Sequence, residues 1–209
     1  MKKVDAFLFS KWLRLCLAMT VSVLLSACSL QPAVLPQENT YTLTTANQQK
    51  FTNKPTAKTL LINIPIANPA YHNAKKAYSM QPYQLRYYTY NRWVASPTDM
   101  LQSLMTESFR NSNYFHAVVT APFAGSSTLR LDSQLLDFVQ HFYGNSSEFQ
   151  MALQITLTDN ATAKILLSQS FQAHVKAPSN NPQGGVIAAN QATQQILNQA
   201  VNAVIAYLK

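Results

Sequence analysis

Cys28 is the residue with the clearest chemistry. It closes the run Leu25-Ser26-Ala27-Cys28, with small side chains at the two positions before it, directly behind the uncharged and mostly apolar stretch Leu15 to Leu25. That is a lipobox: the thiol accepts a diacylglyceryl group, a peptidase that admits small residues cuts before the cysteine, and the freed amino group takes a further chain such as palmitate. Cys28 is therefore expected to carry covalent S-diacylglyceryl and N-acyl lipid, and no cofactor is expected besides. One acyl chain holds a protein to a bilayer only marginally, whereas two or three hold it almost permanently. The next residue is Ser29 and not the Asp that favours inner-membrane retention in many Gram-negative bacteria. The expected location is the outer membrane, facing the periplasm. Cys16 leaves with the signal, so the mature chain has no free thiol and no internal disulfide.

Other chemistry-bearing residues are sparse. His72, His116, His141 and His174 are scattered, which suits surface or capping roles better than a metal site. Paired-cysteine zinc spacing, His-Glu-x-x-His, Gly-x-Ser-x-Gly and a glycine-rich phosphate loop are absent, and four glycines in all leave little for a phosphate cradle. Asp132 and Asp137 can share a strand face if a bulge intervenes, which makes paired carboxylates for acid–base work conceivable. Only Glu38, Glu107 and Glu148 stand in support, and a solvated strand face explains the pair better. The densest cluster is aromatic and basic: Tyr78, Tyr83, Tyr87, Tyr88, Tyr90 and Trp93, with Arg86 and Arg92 among them. Single-stranded nucleic acid stacks on such platforms, but export removes it as a partner. Partner recognition and cross-strand aromatic packing are both open, with Trp93 leaning to the core. No enzyme is expected.

The elements that must position these residues begin with the export signal. Lys2, Lys3, Lys11 and Arg14 flank the apolar run. At about 1.5 Å per residue that run covers about half of a hydrocarbon core about 30 Å thick, so cleavage is favoured over a membrane span. Residues 1–27 are then a cleaved signal, 28–39 a lipidated N-terminus and flexible tether containing Pro32 and Pro36, and 40–209 a single domain. The signal carries four Lys/Arg against Asp5, so the net charge of +8 for the whole chain becomes +5 for the mature one. Polyanions beyond the inner membrane are lipid headgroups, lipopolysaccharide and acidic proteins, though solubility alone accounts for the charge.

Tyr41-Thr42-Leu43 and Leu60 to Ile66 read as strands. So does 77–94, whose period of two puts Leu85, Tyr87 and Trp93 on one side and Arg86, Tyr88, Tyr90 and Arg92 on the other. Ser96-Pro97-Thr98-Asp99 starts a helix with the stripe Met100, Leu101, Leu104, Met105 and Phe109, ended by Asn111 to Asn113. Residues 129–177 read as a three-stranded antiparallel meander, with a bulge where the apolar phase changes between Leu135 and Leu136. Phe149, Met151, Leu153, Ile155 and Leu157 line one face of its middle strand, and Asp159-Asn160 turns the chain. Pro178 to Gly185 breaks the meander before a C-terminal helix that buries Ile196, Leu197, Ala200, Val201, Val204, Ile205 and Leu208. The fold class is α+β: a two-layer sandwich, a largely antiparallel sheet with two helices packed on one face.

Several of these features together resemble one family: the lipobox at Cys28, the early Tyr41-Thr42-Leu43, and the Tyr-rich strand running into Arg92-Trp93-Val94-Ala95-Ser96-Pro97 with a helix directly after it. Asp137-Phe138 followed by a polar turn and a second alternating strand, and the C-terminal helix, add to the resemblance. The family is that of the auxiliary lipoproteins of ABC-type transport systems, similar to paraquat-inducible protein C (PqiC-like). Pro69 to Lys76 is longer and more polar than that pattern. The resemblance implies a non-catalytic outer-membrane lipoprotein that meets an MCE-domain protein spanning the periplasm. It also implies a ring-shaped homo-oligomer that helps lipids or other apolar molecules pass between inner and outer membranes. Tyr88, Tyr90 and Arg92 are the candidate partner contacts. A periplasmic lipid-binding carrier and an unrecognised cell-wall hydrolase are the alternatives.

Overall fold

The computed structural model describes residue 12, residues 36–123 and residues 125–209. The chain divides into Met1–Gln37 and Glu38–Lys209. Of the first unit, only the exposed, helical Trp12 and residues 36–37 are described. The export signal, the lipobox with Cys28 and most of the expected tether thus lie outside the described residues. The second unit runs β1 (Asn39–Tyr41), β2 (Thr59–Ile62), β3 (Ile66–Ala67), a 3-10 turn (Pro69–Tyr71), β4 (Lys75–Ser79) and β5 (Arg86–Trp93). It continues with α1 (Pro97–Asn111), β6 (Ala117–Thr120), β7 (Leu129–Tyr143), β8 (Ser146–Asp159), β9 (Ile165–Lys176) and α2 (Pro182–Leu208). Among the described residues, no helix is long and apolar enough to cross a membrane.

β7, β8 and β9 form the antiparallel meander that the alternation implies. The β7–β8 register slips by one residue between Leu135 and Asp137, where the apolar phase changes. The hairpin between them turns at Gly144, whose φ of +59° only glycine adopts without strain. Phe149, Met151, Leu153, Ile155 and Leu157 are all buried. Each fully buried side chain of this kind contributes about 1.5–3 kcal/mol before the entropy of ordering is counted. α2 packs on β8 and β9, α1 packs on β2 and β6, and the helices touch each other. Both therefore cover one face of the sheet, as the two-layer α+β reading requires. Ser96 caps α1 by accepting a hydrogen bond from the Asp99 N–H at 3.2 Å, with Pro97 at the first helical position.

The N-terminal half departs from the expected pairing. β2, β3 and β4 all run parallel to β7, and β6 and β1 pair in parallel with β2 and β5. The sheet is mixed, its two longest pairs, β7–β8 and β8–β9, being antiparallel. Parallel neighbours need a crossover, which α1 supplies between β2 and β6 and which β2 to β4 supply between β1 and β5, and alternation within a strand says nothing about the direction of its neighbour. The strand expected from Leu60 to Ile66 is split in two, because Pro65 has no N–H for the ladder. The one expected at Tyr41-Thr42-Leu43 starts two residues earlier, and Leu43 leaves the ladder for the core. The strand expected over 77–94 is two strands around the connection 80–85. Gly184 and Gly185, expected in the break, lie in the first turn of α2, where Asn181 accepts from the Gly184 N–H at 2.8 Å.

Candidate functional site

β4 and β5 pair with an unusual offset. Lys75 faces Arg92, yet Ala77 faces Tyr87, so three extra residues of β5 bulge opposite Lys76. The bulge destroys the expected period of two. Tyr87 and Tyr90 both point outward, while Tyr88 is half-buried and Trp93 is in the core, its ring centroid 5.4 Å from that of Phe138.

Lys76 itself is almost fully buried, at 1 % exposure. Its ammonium lies 4.7 Å from the ring centroid of Tyr41, 5.2 Å from Trp93 and 5.3 Å from Tyr88, and donates to the Pro182 carbonyl at 2.7 Å. No carboxylate pairs with it among the described residues. Burial pushes the ammonium down from 10.5 to about 7; the ring faces and the carbonyl favour the charged form and oppose that shift. Burial, and then the neighbouring Tyr78 and Tyr41 hydroxyls, push the Tyr88 hydroxyl up. It therefore stays protonated and donates to Gln140 Oε1 at 3.1 Å. Gln140 in turn donates to Ser147 Oγ at 3.0 Å and to the Asn181 carbonyl at 3.1 Å. The cage joins β1, β4, β5 and β7 to the start of α2. Gly185 must be glycine here, since a Cβ would sit 2.0 Å from Gln140 Oε1, and Gln140 is held by three hydrogen bonds. Gly185→Ala is expected to cost about 1–3 kcal/mol, read as a lower urea midpoint at unchanged slope.

Of the sequence-derived contact candidates, Tyr88 thus packs inward. Tyr90 stays exposed, and Arg92 forms a 3.3 Å ion pair with Glu38, each about half exposed. Such a pair contributes at most about 1 kcal/mol, so Arg92 is available to a partner. No described residue pairs with the outer edge of β5 from Arg86 to Tyr90. Asp132 and Asp137 do not form a catalytic pair. Asp132 accepts from Arg130 Nε at 2.8 Å and from Asn63, while Asp137 lines a different hollow. His72 contacts the Pro69 carbonyl, His141 stacks on Tyr143 and His174 meets Glu148 at 3.5 Å. Among the described residues, no three metal-capable side chains come together.

That hollow is an open groove of about 640 Å³. Asp137, Val139 and His141 on the helix-free face of β7 form its floor, with Tyr71 and the connection Met80–Leu85 as walls. Tyr71 donates to Asp137 Oδ1 at 3.5 Å and Gln150 Nε2 to Oδ2 at 3.3 Å. Burial, reinforced by the Asp137 charge, raises the Tyr71 hydroxyl to about 12, so it remains a donor. Met80, Leu85 and Tyr143 are exposed at the rim, and Tyr83, at φ +64°, is exposed completely. Sequence reasoning missed this groove; the local signals were the long polar segment 69–76 and the bulge that turns Asp137 onto the same face as Gln150.

Solved structures of the same fold exist. Protein XCC0632 of Xanthomonas campestris, a DUF330 protein, is 19% identical and superposes with a TM-score of 0.73, over 81% of this chain and 96% of that one. A second, uncharacterised protein is 13% identical at a TM-score of 0.61, over 81% and 99%. At these identities the likeness speaks for the fold. No curated protein matches the chain significantly. The family described as the ABC-type transport auxiliary lipoprotein component matches residues 41–201, a stretch that holds the cage, the groove, all of α1 and most of α2. The chain belongs to that family.

Proposed function

We propose that this protein is a non-catalytic lipoprotein held at the outer membrane by acyl chains on Cys28, facing the periplasm as the auxiliary component of an MCE-type ABC transport system. Lipids or other apolar molecules are the cargo that moves between the inner and outer membranes. The observation that carries the reading is the family match across 41–201 on an intact α+β domain. The chain supplies a docking module: a tethered sheet whose β5 presents Tyr90 and Arg92 beside an unpaired strand edge, with Tyr88 bracing that strand from inside. Such an edge pairs readily with another chain, either the MCE-domain protein or the next copy in a ring-shaped homo-oligomer.

The double variant Tyr90→Ala, Arg92→Ala is expected to keep its fold and to lose at least tenfold in capture of its MCE-domain partner, each anchor contributing about 1–2 kcal/mol. Tyr88→Phe removes only the Gln140 hydrogen bond, and is expected to lower stability by about 1 kcal/mol and leave capture intact. Capture undiminished in the folded double variant would dismiss this face as the contact. Native mass spectrometry showing a lipid carried away from any membrane would favour the carrier reading, and release of peptidoglycan fragments the hydrolase.

A further inference from the structure

The groove on the helix-free face holds a carboxylate at its floor. Asp137 has no Lys, Arg or His paired with it among the described residues. Its two protein donors stand at 3.5 and 3.3 Å, long beside the roughly 2.7–2.9 Å of a charge-assisted bond. A carboxylate accepts about four hydrogen bonds, so about half of its capacity has no protein donor. A carboxylate so weakly engaged suits an ammonium group, with its three donors.

The rim narrows the class of ligand. Met80, Tyr83, Leu85 and Tyr143 hold exposed apolar surface around the carboxylate, which a small soluble amine would leave in water and an amphiphile would cover. Tyrosine is also at home where hydrocarbon meets water. The geometry of attachment fits as well. β1 starts at Asn39, opposite Asn91, and the five residues of β5 from there to Arg86, next to the rim, measure about 17 Å. The eleven residues from Cys28 to Glu38 span up to about 35 Å, so the rim lies within reach of the bilayer that holds the anchor.

We propose that the groove binds the headgroup of an amine-bearing phospholipid of the phosphatidylethanolamine type in that membrane. Its ammonium sits on Asp137, and the rim residues settle into the interfacial layer. This rests on anchoring through Cys28 and adds to it a second, headgroup-specific contact that orients the domain.

The test uses full-length lipidated protein in nanodiscs of phosphatidylglycerol, with and without phosphatidylethanolamine, read by amide hydrogen exchange. Segments 80–85 and 141–146 are expected to exchange about fivefold more slowly when phosphatidylethanolamine is present. That difference is expected to vanish when the amine is acetylated, in Asp137→Asn, and in the double rim variant Met80→Ser, Tyr83→Ser, whose exposed positions spare the fold. Protection that ignores the amine, or that survives Asp137→Asn, overturns the proposal. So does exchange indifferent to lipid together with loss of MCE-partner capture in Asp137→Asn, which would make the groove a site for a partner's lysine. Flotation of the same samples reports the anchor separately. If the protein does not float, the anchoring reading fails, and exchange with added short-chain phosphatidylethanolamine still decides the groove.

Discussion

Lys76→Met is expected to fold as the native chain does, to be more stable than it at pH 6, and to lose that advantage as the pH rises. Removing an ammonium from water costs several kcal/mol. The three ring faces return about 0.5–2 kcal/mol each, and the Pro182 carbonyl about 1.5–3 kcal/mol. These opposing contributions are of similar size, and it is burial that lowers the group to about 7. In the unfolded chain it titrates near 10.5. Between those values the unfolded state binds more protons, so native stability climbs with pH. Below about 7 both states are protonated and the folded state bears the whole cost. At 1.36 kcal/mol per unit, the native protein gains on the order of 3 kcal/mol relative to the methionine variant between pH 7 and 9.5. Urea melts of both proteins across that range measure it. A constant gap would show that the rings and the carbonyl hold the ammonium at its ordinary value.

Loss of Cys28 is expected to have the largest effect on location. With the mature chain exported behind an ordinary secretory signal and Cys28→Ser in place, the acyl chains are gone. At about 0.8 kcal/mol per buried methylene, nearly all membrane affinity leaves with them. The protein is then expected in the soluble periplasmic fraction, without incorporation of a fatty-acid probe. A serine form that still floats with membranes would mean that the domain binds bilayers strongly by itself, far more than a single headgroup contact provides. An unlabelled native protein would remove Cys28 as the acylated residue.

The start of α1 was legible because Ser96, Pro97 and Asp99 act within one turn. β8 was legible because its alternating side chains sort themselves between helix and water. The bulge at Leu136 showed as a break in the alternation along β7. The inward turn of Tyr88 was not legible, because it depends on the three extra β5 residues opposite Lys76, and offset between strands leaves no mark in either one alone. The parallel half of the sheet escaped for the same reason, since a strand does not encode its neighbour's direction.

Taken alone, the sequence determined both helices and the meander of β7, β8 and β9 with their buried faces, the expected acylation at Cys28 and the family resemblance, all of which follow from residue type and short-range spacing. Only the tertiary structure decided that Lys76 is caged by Tyr41, Tyr88, Trp93 and Pro182, and that Asp137 lies unpaired beneath Met80–Leu85. Desolvation and the satisfaction of a charge depend on what surrounds it in space, and here those surroundings come from segments up to 106 residues away along the chain.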